Sequence, residues 1–142
     1  MMTPASRQKL RAMLERHEGR VSHAYQDHLG YWTIGVGRLI DEQRGGGLSD
    51  DEIDYLLAND INRVIDALSV RLPFWGSLTD HQRMALCNMA FQLGVSGLLN
   101  FRRMLAALEA GDVIAARREA LDSRWALQTP KRAQEVAAML GG

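Results

Sequence analysis

The chain has 142 residues, 46% of them hydrophobic, and its 17 basic and 17 acidic side chains cancel to a formal net charge of zero. That length suits one compact domain with a minor lobe, and the composition excludes disordered, collagen-like and membrane-embedded chains. Balanced charge predicts no nucleic-acid partner, and no apolar run approaches the ~20 residues that membrane insertion requires.

The charges are uneven along the sequence. Residues 1–40 carry six basic and three acidic groups, residues 41–66 two and eight, and residues 81–142 eight and five. An acidic stretch between two basic ones can set opposite fields on two sides of a cleft, although Asp50-Asp51-Glu52-Asp54 taken alone reads as a solvated helix start. Cys87 is the single cysteine, so no intramolecular disulfide can form and the fold must rest on its core. The polar beginning, Met1 to Lys9, lacks the apolar stretch of a signal peptide, and together with the lone cysteine this predicts synthesis in a reducing cytoplasm.

Thr3 before Pro4 is a cap followed by a residue suited to the first helical turn, and Leu10, Met13, Leu14 and His17 continue at helical spacing up to Gly19. Helix one is thus predicted from Pro4 to about His17. Val21 to Gln26 reads as a short strand. Asp27-His28-Leu29-Gly30 has type I turn chemistry, and Tyr31-Trp32-Thr33-Ile34 has the aromatic and β-branched content of a returning strand. Gly45-Gly46-Gly47 marks a loop. Ser49-x-x-Glu52 opens a helix of about 20 residues with Ile53, Leu56, Leu57, Ile61, Val64 and Leu68 on one face, long enough at ~30 Å to bridge two lobes. Thr79-x-x-Gln82 starts the next helix, with Met84, Ala85, Leu86, Met89 and Leu93 before Gly94. Further helices are predicted at Leu98 to Ala110, from Asp112 to about Leu121, and after Thr129-Pro130, where Ala133, Val136, Ala137 and Leu140 form a stripe. The predicted fold class is α+β, mainly α-helical, with strands confined to residues 21–40.

Two carboxylates on different local elements can face each other across a cleft, and Glu18 and Asp27 stand on such elements. Cleaving an acetal needs a proton for the leaving oxygen and a nucleophile or activated water at the anomeric carbon. Glu18 ends helix one, where exposed carbonyls disfavour a second negative charge, which suits a proton donor. Asp27 at the turn can accept backbone hydrogen bonds, as an ionised base requires, and the Thr33 hydroxyl across the hairpin can orient water. Read singly, the same three are a helix-end acid, a turn residue and a strand residue.

The spacing of Glu18, Asp27 and Thr33, with Gly19, Tyr25, Gly30 and the run Tyr31-Trp32-Thr33-Ile34-Gly35-Val36-Gly37, resembles the phage-type lysozymes of glycoside hydrolase family 24. Asn88-Met89-Ala90-Phe91-Gln92-Leu93-Gly94 and the segment from Ser123 to Ala133 resemble that family in order and spacing, so nearly the whole chain is covered. The resemblance implies a lysozyme-like two-lobe fold: a small lobe at about 18–48, a linking helix at about 49–70, and a helical lobe from 1–17 and 71–142. It implies a muramidase that cleaves the β-1,4 bond between N-acetylmuramic acid and N-acetylglucosamine for host cell lysis, without cofactor or metal, as a monomer acting on peptidoglycan glycan strands in the periplasm or cell wall. Glu18 is then the general acid, and Asp27 with Thr33 holds the attacking water, giving inversion. The resemblance also implies that Leu39, Phe91, Gln92 and Trp125 contact saccharide, and that Arg132 ion-pairs with Glu18 against the helix-end effect; Phe91 and Trp125 read equally as core.

Some features depart from the family. The segment between Gly37 and Ser49 is short, so the small lobe is expected to lack part of its sheet. Arg38 replaces a histidine, and a salt bridge from Arg38 to Asp60 is expected. Other chemistries fit less well. His17, His23 and His28 match no metal-binding spacing, and the glycine runs complete no nucleotide-binding motif. No basic recognition helix is present for DNA. The alternative of another class is a module that keeps the cleft and only binds peptidoglycan or a partner, which has no need of all three of Glu18, Asp27 and Thr33.

Overall fold

The computed structural model describes residues 3–40 and 46–142. Met1, Met2 and Gly45 of the predicted glycine loop lie outside the described residues. The described chain is mainly helical with one small antiparallel sheet, and it divides into two compact units, Met1–Asp54 and Tyr55–Gly142.

In the first unit, helix α1 spans Pro4–Glu18. The Ser6 N–H donates to Thr3 Oγ1 at 3.1 Å, and the Gly19 N–H closes the other end on the Glu15 carbonyl at 3.0 Å. Gly19 has φ +79°, which a residue with a Cβ rarely adopts, so the helix ends there and the chain turns into a strand. Strand β1 (Val21–Gln26) pairs antiparallel with β2 (Trp32–Gly35), matching Tyr25 to Thr33 and Gln26 to Trp32, with an irregularity between Val21 and Tyr25. Strand β3, Arg38–Leu39, pairs with β2 through Thr33 to Leu39 and Ile34 to Arg38. Thr33 therefore sits on the middle strand between Tyr25 and Leu39. At 2% exposure it is the one buried residue of this unit among those described. Helix α1, expected with the helical lobe, groups with this sheet.

Helix α2 is Asp50–Arg71, and the division between the units falls inside it. The Ser49 N–H donates to Glu52 Oε1 at 2.9 Å, the side-chain half of the predicted capping box. Its apolar face is largely uncovered: Ile53, Leu56, Leu57, Ile61 and Ile65 are exposed, and Leu68 is the buried residue of the helix.

The second unit holds the core. A short 3-10 turn at Trp75–Ser77 precedes α3, Asp80–Leu99, whose capping box between Thr79 and Gln82 is complete. Gln82 is buried yet satisfied, because its amide also donates to the Leu140 carbonyl at 3.1 Å. The predicted stop at Gly94 is a kink within α3, and the single helix predicted from Leu98 to Ala110 is broken at Asn100 and Phe101. Helix α4, Arg102–Glu109, leaves that break at 94° to α3, which turns Met104, Leu105 and Leu108 into the core. Helix α5, Val113–Leu121, is capped by Asp112 as predicted. A five-residue helix not predicted from the sequence, α6 at Arg124–Gln128, is capped by Ser123, and α7 spans Pro130–Leu140. Ala133, Val136, Ala137 and Leu140 of α7 are buried against Ala85, Leu86 and Met89 of α3 and Ala116 and Ala120 of α5 in one cluster. Met84, predicted inward on α3, is exposed.

No single helix among the described residues is long and apolar enough to cross a membrane.

Candidate active site

In the first unit, the end of α1 and the hairpin turns bring the predicted catalytic residues to one small frame. Glu18 is exposed at the last position of α1, and its carboxyl group lies against the backbone of the β2–β3 turn. A Cβ at Gly37 would stand 2.8 Å from Glu18 Oε2, 3.0 Å from Cδ and 3.1 Å from Cγ, so the carboxyl occupies space that a side chain at residue 37 would need.

Asp27 organises the β1–β2 turn. Its Oδ1 accepts the Leu29 and Tyr31 N–H groups, both at 2.9 Å, and its own N–H donates to the Tyr31 carbonyl at 2.8 Å. Two donors aimed at one oxygen complement an ionised carboxylate. The Gly30 N–H closes the turn on the Asp27 carbonyl at 2.9 Å, as the Asp-first, Gly-last pattern predicted. Thr33 Oγ1 donates to the Tyr31 carbonyl at 3.0 Å. Its hydrogen is thus committed, and toward a further partner the hydroxyl offers lone pairs. Leu39, half-buried on β3, is opposite Thr33.

The expected salt bridge from Arg38 to Asp60 is replaced by one to Glu52. Arg38 holds both carboxylate oxygens, at 2.6 Å to Oε2 and 2.8 Å to Oε1, and also donates to the Gly47 carbonyl at 3.0 Å. Glu52 wins because the capping interaction with Ser49 already turns its side chain back toward the hairpin, whereas Asp60 lies about 12 Å further along the helix. The hydrogen bond from Arg38, then those from the Ser49 N–H and hydroxyl, lower the Glu52 carboxyl from an ordinary 4.5 to about 2. A carboxyl lowered on folding stabilises above its unfolded value and loses that contribution as pH falls through the folded one. Glu52→Gln should therefore flatten the fall of stability between pH 4.5 and 2. Urea midpoints measured across that window check this, and an unchanged slope would remove the pair from the acid response.

In the second unit, the predicted saccharide contacts separate into exposed and buried groups. Phe91 is 48% exposed on α3 and lines a groove of about 730 Å³ with Leu57, Ile61, Trp75, Met84 and Arg132. Trp125 is 3% exposed, packed edge-on against Phe101 with ring centroids 6.0 Å apart. It presents no face for stacking on a sugar. Its indole N–H instead donates to Gln92 Oε1 at 2.9 Å, fixing the carboxamide of an exposed residue and leaving the amide N–H groups for a ligand. Arg132 donates from Nε to Asn88 Oδ1 at 2.9 Å and from a terminal nitrogen to the Asn88 carbonyl at 3.2 Å. Asn88 opens the run that resembles the family and stands one helical turn before Gln92 on α3, yet no role was expected for it.

Among the described residues no group of three or more His, Cys, Asp or Glu side chains is placed to hold a metal ion. Comparison with known proteins matches the phage lysozyme family model to residues 15–138, which includes Glu18, Asp27, Thr33 and Arg132. The chain belongs to the phage lysozyme family. It is 28% identical to Probable T4-type lysozyme 2 of Dictyostelium discoideum, over 92% of each chain. It is 34% identical to the pre-baseplate central spike protein Gp5 of Enterobacteria phage T4 over 90% of this chain, which spans 27% of that protein's length. An endolysin of Acyrthosiphon pisum secondary endosymbiont phage 1 is 28% identical, over 75% of this chain and 71% of its own. The phage lysozyme family is one of lysozyme-type peptidoglycan hydrolases, and the mainly helical fold with its small sheet agrees with membership.

Proposed function

We propose that the chain is a muramidase that hydrolyses the β-1,4 bond between N-acetylmuramic acid and N-acetylglucosamine in peptidoglycan, in the service of host cell lysis. The observation that carries this reading is the seating of the Glu18 carboxyl on the Gly37 backbone, on the same sheet whose turn and middle strand hold Asp27 and Thr33. Glu18 gives its proton to the leaving glycosidic oxygen. Asp27 accepts a proton from water, and Thr33 Oγ1, whose hydrogen is held by the Tyr31 carbonyl, accepts the second hydrogen of that water and so aims its oxygen. Attack from the face opposite the leaving group inverts the anomeric centre.

Leu39, Phe91 and Gln92 contact the saccharide in this reading, with Trp125 positioning Gln92 and Asn88 holding Arg132 beside that surface. The enzyme works as a monomer on the glycan strands of the wall.

Digestion of purified peptidoglycan tests the assignment. New reducing ends at muramic acid, first formed as the α anomer, are the expected products. Reducing ends at glucosamine would overturn the bond assignment, and a first-formed β anomer would overturn inversion. Saturable binding to the wall without any product would leave the scaffold as a binding module.

A further inference from the structure

A second concave site lies within the first unit. Arg7, Arg11, Leu14 and Glu15 of α1 face Arg20, Val21 and Ser22 at the start of β1 and Gly35 and Val36 at the β2–β3 turn, around a groove of about 870 Å³. Its lining holds three guanidinium groups and one carboxylate, a local positive excess in a chain whose charges balance overall. Arg7, Arg11 and Glu15 recur every four residues and so form one row along α1.

Glu15 Oε1 accepts Arg11 Nε at 3.3 Å and an Arg20 terminal nitrogen at 3.5 Å, tethering both side chains at the groove. These contacts use few of the five N–H donors that each guanidinium carries, and the Arg11 and Arg20 side chains remain mostly exposed. Arg7 has no ion-pair partner among the described residues. Exposed Leu14 and Val36 supply apolar surface beneath this cationic rim. Guanidinium forks take carboxylates bidentately, and an apolar floor beside them favours a ligand that alternates carboxylates with small apolar groups.

We propose that this groove binds the carboxylate-bearing stem peptides of peptidoglycan, whose alanyl methyls and dicarboxylic residues match that pattern. The proposal rests on the peptidoglycan reading above, and it places the anchor for the peptide apart from the Glu18, Asp27 and Thr33 frame.

The test titrates a free stem tripeptide, L-alanyl-γ-D-glutamyl-diaminopimelate, against the full chain by amide NMR. A parallel titration uses a variant with Arg7→Gln and Arg11→Gln, two exposed substitutions that keep good helix formers. Saturable shifts centred on Arg7, Arg11, Arg20 and Val36, weakened about tenfold in the variant, are expected. Hydrolysis should show the variant's KM raised about fivefold on intact peptidoglycan and unchanged on glycan strands stripped of peptide. Absent shifts, equal shifts in the variant, or equally tight binding of inorganic phosphate would overturn the proposal. If the wild type hydrolyses neither polymer, the muramidase reading fails while the titration still decides the groove.

Discussion

Glu18→Gln will fold like the wild type and lose activity on peptidoglycan by ~10²–10⁴-fold or more, the usual worth of a general acid. The substitution keeps the size and planarity of the side chain, so the contact with Gly37 survives. Glu18 is exposed and makes no ion pair shorter than 4 Å among the described residues, so stability should move by no more than ~0.5 kcal/mol. What changes is the transferable proton. An amide cannot deliver one to the glycosidic oxygen, and that step has no substitute donor in the mechanism proposed. Clearing of chloroform-treated Gram-negative cells, release of reducing ends and the thermal midpoint together check the result. Clearing at the wild-type rate with an unchanged midpoint would end the assignment of Glu18 as the acid.

Sequence patterns specified the local devices because each depends on neighbours within a few residues. The Thr3 and Thr79 caps, the Asp27 to Gly30 turn and the Gly19 stop all form as read. What the patterns missed depends on competition between distant partners. Arg38 is expected to meet Asp60, but Glu52, turned back toward the hairpin by its cap on Ser49, takes it instead. Trp125 carried the composition of a stacking platform, but its burial against Phe101 converted it into a support for Gln92. The stripe on α2 was legible as a periodicity, while its exposure depends on tertiary packing that periodicity does not encode. In the candidate site, the spacing of Glu18, Asp27 and Thr33 is legible in the sequence, while their roles belong to the function proposed above. The reason Gly37 belongs beside them is not legible, because close approach of a side chain from another element leaves no local mark.

Gly37→Ala and Gly35→Ala separate that close approach from backbone strain. Both glycines have positive φ, +66° and +72°, so alanine at either costs roughly 1–2 kcal/mol. Beyond this the two sites differ. The new methyl at residue 35 meets nothing within 4 Å, whereas at residue 37 it would lie 2.8 Å from Glu18 Oε2. Glu18 is the exposed end of a helix and its side chain can rotate away at little cost, so stability should fall by similar amounts in both variants. Rotation nevertheless removes the carboxyl from its seat on the hairpin. A displacement near 1 Å in a catalytic group can cost ~10²-fold, so Gly37→Ala should lose about that much in kcat, with Gly35→Ala within a few-fold of wild type. Rates on purified glycan strands, read beside urea midpoints for both variants, make the comparison. Equal activity losses would assign the effect to the turn's backbone and remove Gly37 as the seat of the acid; a loss confined to Gly37→Ala assigns it to the position of the Glu18 carboxyl.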